Sequence, residues 1–227
     1  MRRTPWNKLA MRKSALTVSA VFGVHEGLSG STRIPSISRR ITDKAAMQIG
    51  VLVLLGAGTA LASGLVEFRL RIPGHAILRS VFPMALGLAL VPIRKGGTVM
   101  GLSALGTAVV MTGYNVGNLG AGSLTSLALT GPLLDLALMG ARRGWRLYLG
   151  FILAGIASNL IALCFRGGMK ALTGDMRGGR LVGEWWHQAS LTYPLCGLLA
   201  GLLSAAVWFR LRGGPPTTAE RASASPR

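Results

Sequence analysis

The sequence predicts an all-α, polytopic integral membrane protein of about six transmembrane helices in a compact bundle. Half of its 227 residues are apolar, only 14% are charged, and the apolar residues fall into long uninterrupted runs. An ordinary soluble domain carries about 25% charged residues, so this chain has too few polar side chains to coat a globule of its size. The same oiliness excludes a disordered chain, because disorder needs low hydrophobicity. Yet Lys and Arg number 25 against 7 Asp and Glu, for a net charge of +18. Such an excess marks either a nucleic-acid footprint or the sidedness of a membrane protein. Its distribution decides between them.

Residues 1–44 are polar, basic and interrupted by Gly27, Gly30 and Pro35, and are expected to form a disordered cytoplasmic tail. Their start, with Arg2, Arg3, Lys8, Arg12 and Lys13 before Ala15–Val24, is only faintly like a signal peptide. The apolar stretch carries Thr17 and Ser19 and lacks a small-residue cleavage site. From Ala45 the character changes. Ala45–Val66 is free of charge and, at about 1.5 Å per residue, long enough to cross about 30 Å of hydrocarbon. Five further spans follow at Ala76–Ile93, Gly97–Gly113, Leu119–Met139, Trp145–Phe165 and Leu191–Phe209. Pro83, Pro132 and Pro194 lie inside them, which membrane helices tolerate better than soluble ones. The membrane domain thus covers 45–212, and residues 213–227 form a second disordered tail. Cys164 and Cys196 sit within apolar runs and read as small buried hydrophobes, not as a disulfide or metal framework.

With the N-terminus inside, the cytoplasmic segments hold nine basic residues before the first span. They also hold Arg94, Lys95, Arg142, Arg143, Arg146, Arg210, Arg212, Arg221 and Arg227. The outer segments hold Arg69, Arg71, Arg79, Arg166, Lys170, Arg177 and Arg180. Positive charge marks the cytoplasmic side, so both termini are expected inside the cell membrane, in agreement with an even number of spans. Trp145, Tyr148 and Trp208 fall at the inner interface, and Tyr114, Trp185, Trp186 and Tyr193 at the outer one. Basic residues that recur at span ends, without an RNA-binding motif between them, argue against nucleic acid.

Signals for catalysis are weak, and no enzyme activity or cofactor is expected. Gly27-Leu28-Ser29-Gly30 matches the Gly-x-Ser-Gly of intramembrane serine proteases, but it lies in the tail and not in a span. There is no Gly-x4-Gly-Lys-Ser/Thr phosphate loop and no His-Glu-x-x-His. His25, His75 and His187 are far apart in sequence, so no metal site is expected. Asp135 is the acid inside a span, and burying it costs about 2.5–3.5 kcal/mol on insertion scales. It therefore faces the bundle, a partner or water, as a structural ion pair towards Arg142 or in a functional role. Asn159 reads as a hydrogen bond between helices. Gly56, Ala60 and Gly64 repeat at i, i+4, i+8, a spacing that lets helices approach closely. That ridge suits either a neighbouring span or a partner protein. On the outer side Arg69, Arg71, His75, Tyr114, Asn115, Asn118, Trp186 and His187 bring together cations, amides and stacking surfaces. This inventory fits capture of a small polar or aromatic solute, although interfacial anchoring explains the tryptophans equally well.

The pattern resembles the substrate-binding S components of energy-coupling factor transporters, which take up vitamins and related micronutrients. The resemblance runs over about residues 45–212. It is carried by Ile72-Pro73-Gly74-His75, by the stretch from Leu88 to Gly101, by Thr130-Gly131-Pro132-Leu133-Leu134-Asp135, by Ala157-Ser158-Asn159-Leu160 and by the run from Tyr193 to Gly201. It implies six spans, cytoplasmic termini, an outward-facing solute pocket and a small-residue ridge on span one. That ridge would dock a membrane coupling subunit, with the ATPases on separate chains. Family members carry Ala-x3-Ala where this chain has Gly56-x3-Ala60-x3-Gly64, and the long basic tail is a departure. A cobalt- or nickel-type component is disfavoured, since those begin with a metal-binding Met-His and this chain begins Met1-Arg2-Arg3. The competing expectations are a non-transporting membrane scaffold or assembly protein and, less favoured, an intramembrane enzyme using Asp135 or a histidine.

Overall fold

An apolar run that leaves water must satisfy its own backbone polar groups, and a helix does so within the segment. In the computed structural model each of the six apolar regions is helical. It describes residues 23–29, 31–34, 45–65, 74–117, 119–140, 144–173 and 182–211. Besides one helical turn at Glu26–Ser29, the helices are α1 (Ala45–Leu65), α2 (Ile77–Leu90), α3 (Gly96–Gly113), α4 (Ala121–Leu138), α5 (Trp145–Thr173) and α6 (Val182–Trp208). Among the described residues there is no strand longer than an isolated bridge. Four helices contain stretches long and apolar enough to cross a membrane, namely Ala46–Leu65, Gly96–Gly113, Trp145–Leu172 and Trp186–Trp208. Leu54, Leu102, Leu136 and Leu195 are mostly exposed. An apolar outer surface of this kind is compatible with contact to lipid and not with water.

Two features depart from the expected layout of spans. α2 has 14 residues, or about 21 Å of rise, short of a full hydrocarbon layer. It contacts each of the other five helices, and no residue along it is exposed. A helix shielded by its neighbours need not match the thickness of the lipid. The second departure concerns the expected outer loop from Arg166 to Ser190. α5 continues to Thr173 and α6 begins at Val182. Arg166 and Lys170 end an apolar run, but Lys, Ala and Leu are good helix formers, so charge ended the span and not the helix.

The packing is close where glycines face one another. A Cβ built on Gly97 would overlap the carbonyl of Gly131, joining α3 to α4. One on Gly155 would overlap that of Gly197, joining α5 to α6. Small residues bring membrane helices into backbone contact in this way.

The tail expectation is corrected over residues 23–29 and 31–34, the docked segment. Leu28 is 1% exposed and belongs to the main apolar core with Leu88, Leu138 and Phe209. One antiparallel bridge pairs Val24 with Ile93, and another pairs Thr32 with Phe209. The His25 amide donates to Pro92 O at 2.7 Å, the Arg33 amide to Trp208 O at 3.0 Å, and the Arg210 amide to Ser31 O at 2.7 Å. Thr32 Oγ1 donates to Ala89 O at 3.1 Å. This segment closes the end of the bundle where α2, α4 and α6 finish and α3 and α5 begin. It is hereafter the basic end.

Candidate functional site

At the opposite end, polar side chains from several elements converge. Gly74 takes a φ of +87°, a left-handed conformation suited to glycine, and turns the chain into α2. A Cβ there would press on the Tyr193 backbone and on the Asn159 amide. Asn159 Nδ2 donates to Gly74 O at 3.2 Å and to Tyr193 O at 2.7 Å. One buried amide therefore ties α5 to the α2 entry and to α6 beside Pro194. Arg166 Nη1 donates to the Tyr193 hydroxyl at 3.4 Å. One turn into α2, Arg79 Nη2 lies 3.3 Å from His75 Nε2, and Arg79 Nη1 donates to Ser63 O at 3.2 Å.

Beneath this rim lies a layer of hydroxyls. Thr130 Oγ1 lies 2.8 Å from Ser158 Oγ and donates to Ser126 O at 2.6 Å. Ser80 Oγ lies 3.4 Å from Ser126 Oγ and donates to Ile77 O at 3.1 Å. Ser80, Ser126, Thr130 and Ser158 are all buried, Thr130 completely. Hydroxyls at such depth need partners, and here helix carbonyls and one another supply them. The layer joins α2, α4 and α5, with Ser80 next to Arg79 in sequence and Ser158 next to Asn159.

The expected ligand residues divide into three groups. His75 belongs to the cluster. Tyr114 and Asn115 lie at the same end in the turn after α3, and Tyr114 is 78% exposed. Asn115 has a φ of +53°, and the Val116 amide bonds Met111 O at 2.8 Å, so its backbone ends α3 in a left-handed cap. Trp186 and His187 are exposed near the start of α6, where the Trp186 ring covers Gly167 of α5. Arg69, Arg71 and Asn118 lie outside the described residues.

The small-residue ridge lies at a helix seam. A Cβ on Gly56 would overlap Met100 O of α3, and one on Gly64 would meet Met111. Ala60 is completely buried, and Ser103 Oγ donates across the same seam to Val53 O at 2.7 Å. The ridge faces α3 of the same chain, the neighbouring-span alternative that its spacing allowed. Asp135 is also accounted for locally. Its carboxylate accepts from the Gly97 amide at 2.9 Å, and from the Thr98 amide and hydroxyl at 2.6 Å each. It caps the N-terminus of α3, where an anion is favoured. Arg142, the expected ion partner, lies outside the described residues.

Arg79, Tyr193, Arg166 and the four hydroxyl residues were not among the expected ligands. Ser80, Ser126 and Ser158 lie far apart in sequence on three different helices, and only the helix pairing brings them together. Thr130 and Ser158 do lie in the motifs that carried the family resemblance. Among the described residues no three His, Cys, Asp or Glu side chains are grouped to hold a metal ion. Comparison with protein-family models, curated proteins and solved structures found no match.

Proposed function

We propose that this chain is the membrane-embedded substrate-capture component of a micronutrient uptake transporter, similar to an energy-coupling factor S component. In this reading all six helices lie within the bilayer, both termini are cytoplasmic, and ATPase and coupling subunits are separate chains. The observation that supports it is the convergence of Arg79, His75, Asn159, Tyr193 and Arg166 above a buried hydroxyl layer, in a largely apolar bundle. A few polar groups placed in an apolar frame are what a small solute needs for orientation and specificity. Thermal-shift screening of the purified full chain against vitamins tests this. A ligand that raises Tm, with the rise abolished by Arg79→Gln or His75→Ala, supports the proposal. Absence of any stabilising ligand, together with failure of the tagged protein to co-purify a coupling subunit or ATPase, would overturn it.

The second reading is a non-transporting scaffold. It is favoured by the engagement of Gly56, Ala60 and Gly64 within the chain, on the ridge where a coupling subunit would have docked. A coupling subunit that co-purifies must then bind another face, and cross-linking would find it away from α1 Gly56.

A further inference from the structure

Docking of residues 23–34 has an electrostatic consequence at the basic end. The described cations there are Arg33, Arg94, Lys95, Arg146 and Arg210, and all are exposed. They come from four segments: the docked segment, the turn between α2 and α3, the first turn of α5 and the exit from α6. Backbone bonds hold these segments together. The Arg94 amide donates to Gly23 O at 3.3 Å, and Arg33 and Arg210 each follow a partner of the Thr32–Phe209 bridge. Tyr148 of α5 donates through its hydroxyl to Phe209 O at 3.0 Å. The acids of the described segments at this end are Glu26, in the docked segment, and Asp135, whose two oxygens are already engaged by Gly97 and Thr98; five cations outnumber them.

Aromatic rings stand beside these cations. Trp145 is exposed, Trp208 and Tyr148 are half-buried, and Trp208 Nε1 donates to Phe82 O at 3.1 Å. Trp and Tyr beside Lys and Arg at helix ends mark the level of lipid headgroups. We propose that the basic end binds an anionic phospholipid headgroup, and that docking of residues 23–34 completes the site by bringing Arg33 beside Arg210. The inference uses the reading of the chain as a membrane protein and is independent of what solute it carries. A soluble polyanion fits less well, because Trp145 directly precedes Arg146 and Trp208 lies two residues before Arg210, and aromatic rings interleaved with cations at helix ends suit a headgroup layer. Since the lipid would bind the docked form better than the released one, it must shift the segment towards docking by linkage.

The test uses the full chain in vesicles of phosphatidylcholine alone and of phosphatidylcholine with phosphatidylglycerol. Hydrogen exchange at the His25 and Arg33 amides is read against amides within α3, which report on the fold. With phosphatidylglycerol, exchange slows by about five-fold, the contribution of Arg33, the one cation that docking adds, and high salt removes the difference. Arg33→Gln lowers the response, Arg33→Lys retains it, and Lys170→Gln at the other end leaves it unchanged. Equal exchange in the two vesicles would overturn the proposal. So would a loss with Lys170→Gln as large as with Arg33→Gln, or the same protection from inorganic phosphate in phosphatidylcholine. If Arg33→Gln disturbs the α3 amides, the wild-type comparison and the Arg33→Lys variant still decide.

Discussion

Asp135 is the clearest case of a residue whose sequence context suggested chemistry and whose surroundings assign it architecture. A carboxylate inside a span is costly, yet three donors from one helix N-terminus converge on it. Charge-assisted hydrogen bonds of this kind contribute more than neutral ones. Asp135→Ala is therefore expected to cost about 2–3 kcal/mol, through the lost cap and the donors left unmet. Thermal unfolding in detergent checks this, with Thr98→Val showing a smaller decrease in Tm. His25 carries the second prediction at this scale. Its Nε2 is bonded to Leu138 O, while its Nδ1 is buried without a partner. Burial lowers its pKa below 6.5, the bond to Leu138 opposes that shift, and the Arg94 charge adds to it. The released segment then binds a proton near pH 6.5, and the docked one only at lower pH. Docking is fully stabilised above that range and weakens as pH falls from about 6.5 towards the lowered value. Hydrogen exchange at the Arg33 amide, referenced to α3, should show this weakening. His25→Gln should abolish it.

Between helices, the sequence made small residues legible but not their direction. Gly56, Ala60 and Gly64 form the stripe that the spacing implied, and only the α1–α3 pairing determines that it faces inwards. Gly58, two positions along, has nothing within 4 Å of where a Cβ would stand. Gly56→Leu is thus expected to cost about 1–3 kcal/mol by overpacking against Met100, and Gly58→Leu to leave Tm unchanged or slightly higher. Equal losses in the two variants would mean that the stripe does not face α3. The apolar part of each of the six long helices could be read from apolar runs, because that signal is local. Three features could not. The central place of α2 depends on which helices surround it. The hydroxyl layer depends on which faces meet. The docked segment looks like solvated tail because Val24, Leu28 and Ile34 are spread among Gly, Ser and charged neighbours with no apolar run, and the burial site of Leu28 is made by distant residues.

For the molecule as a whole, the asymmetry of charge remains the guide to the expected orientation. Counted by sequence, the inner excess leaned on a tail whose position was assumed. The docked segment now brings Arg33 to the same end as Arg94, Lys95, Arg146 and Arg210, while Arg79, Arg166 and Lys170 belong to the other. A bundle with this bias should insert with its basic end in the cytoplasm. Tyr114, in the exposed turn after α3, and Lys95, at the start of the same helix, then lie on opposite sides of the bilayer. Cys164 and Cys196 lie within α5 and α6 and are first replaced by Ala. A single cysteine at Tyr114 should react with an impermeant maleimide in intact cells. One at Lys95 should react only after the membrane is opened. Reaction of both from outside would mean that α3 does not cross. The reverse pattern would place the basic end outside, and the anionic-lipid site with it on the leaflet poorer in such lipids.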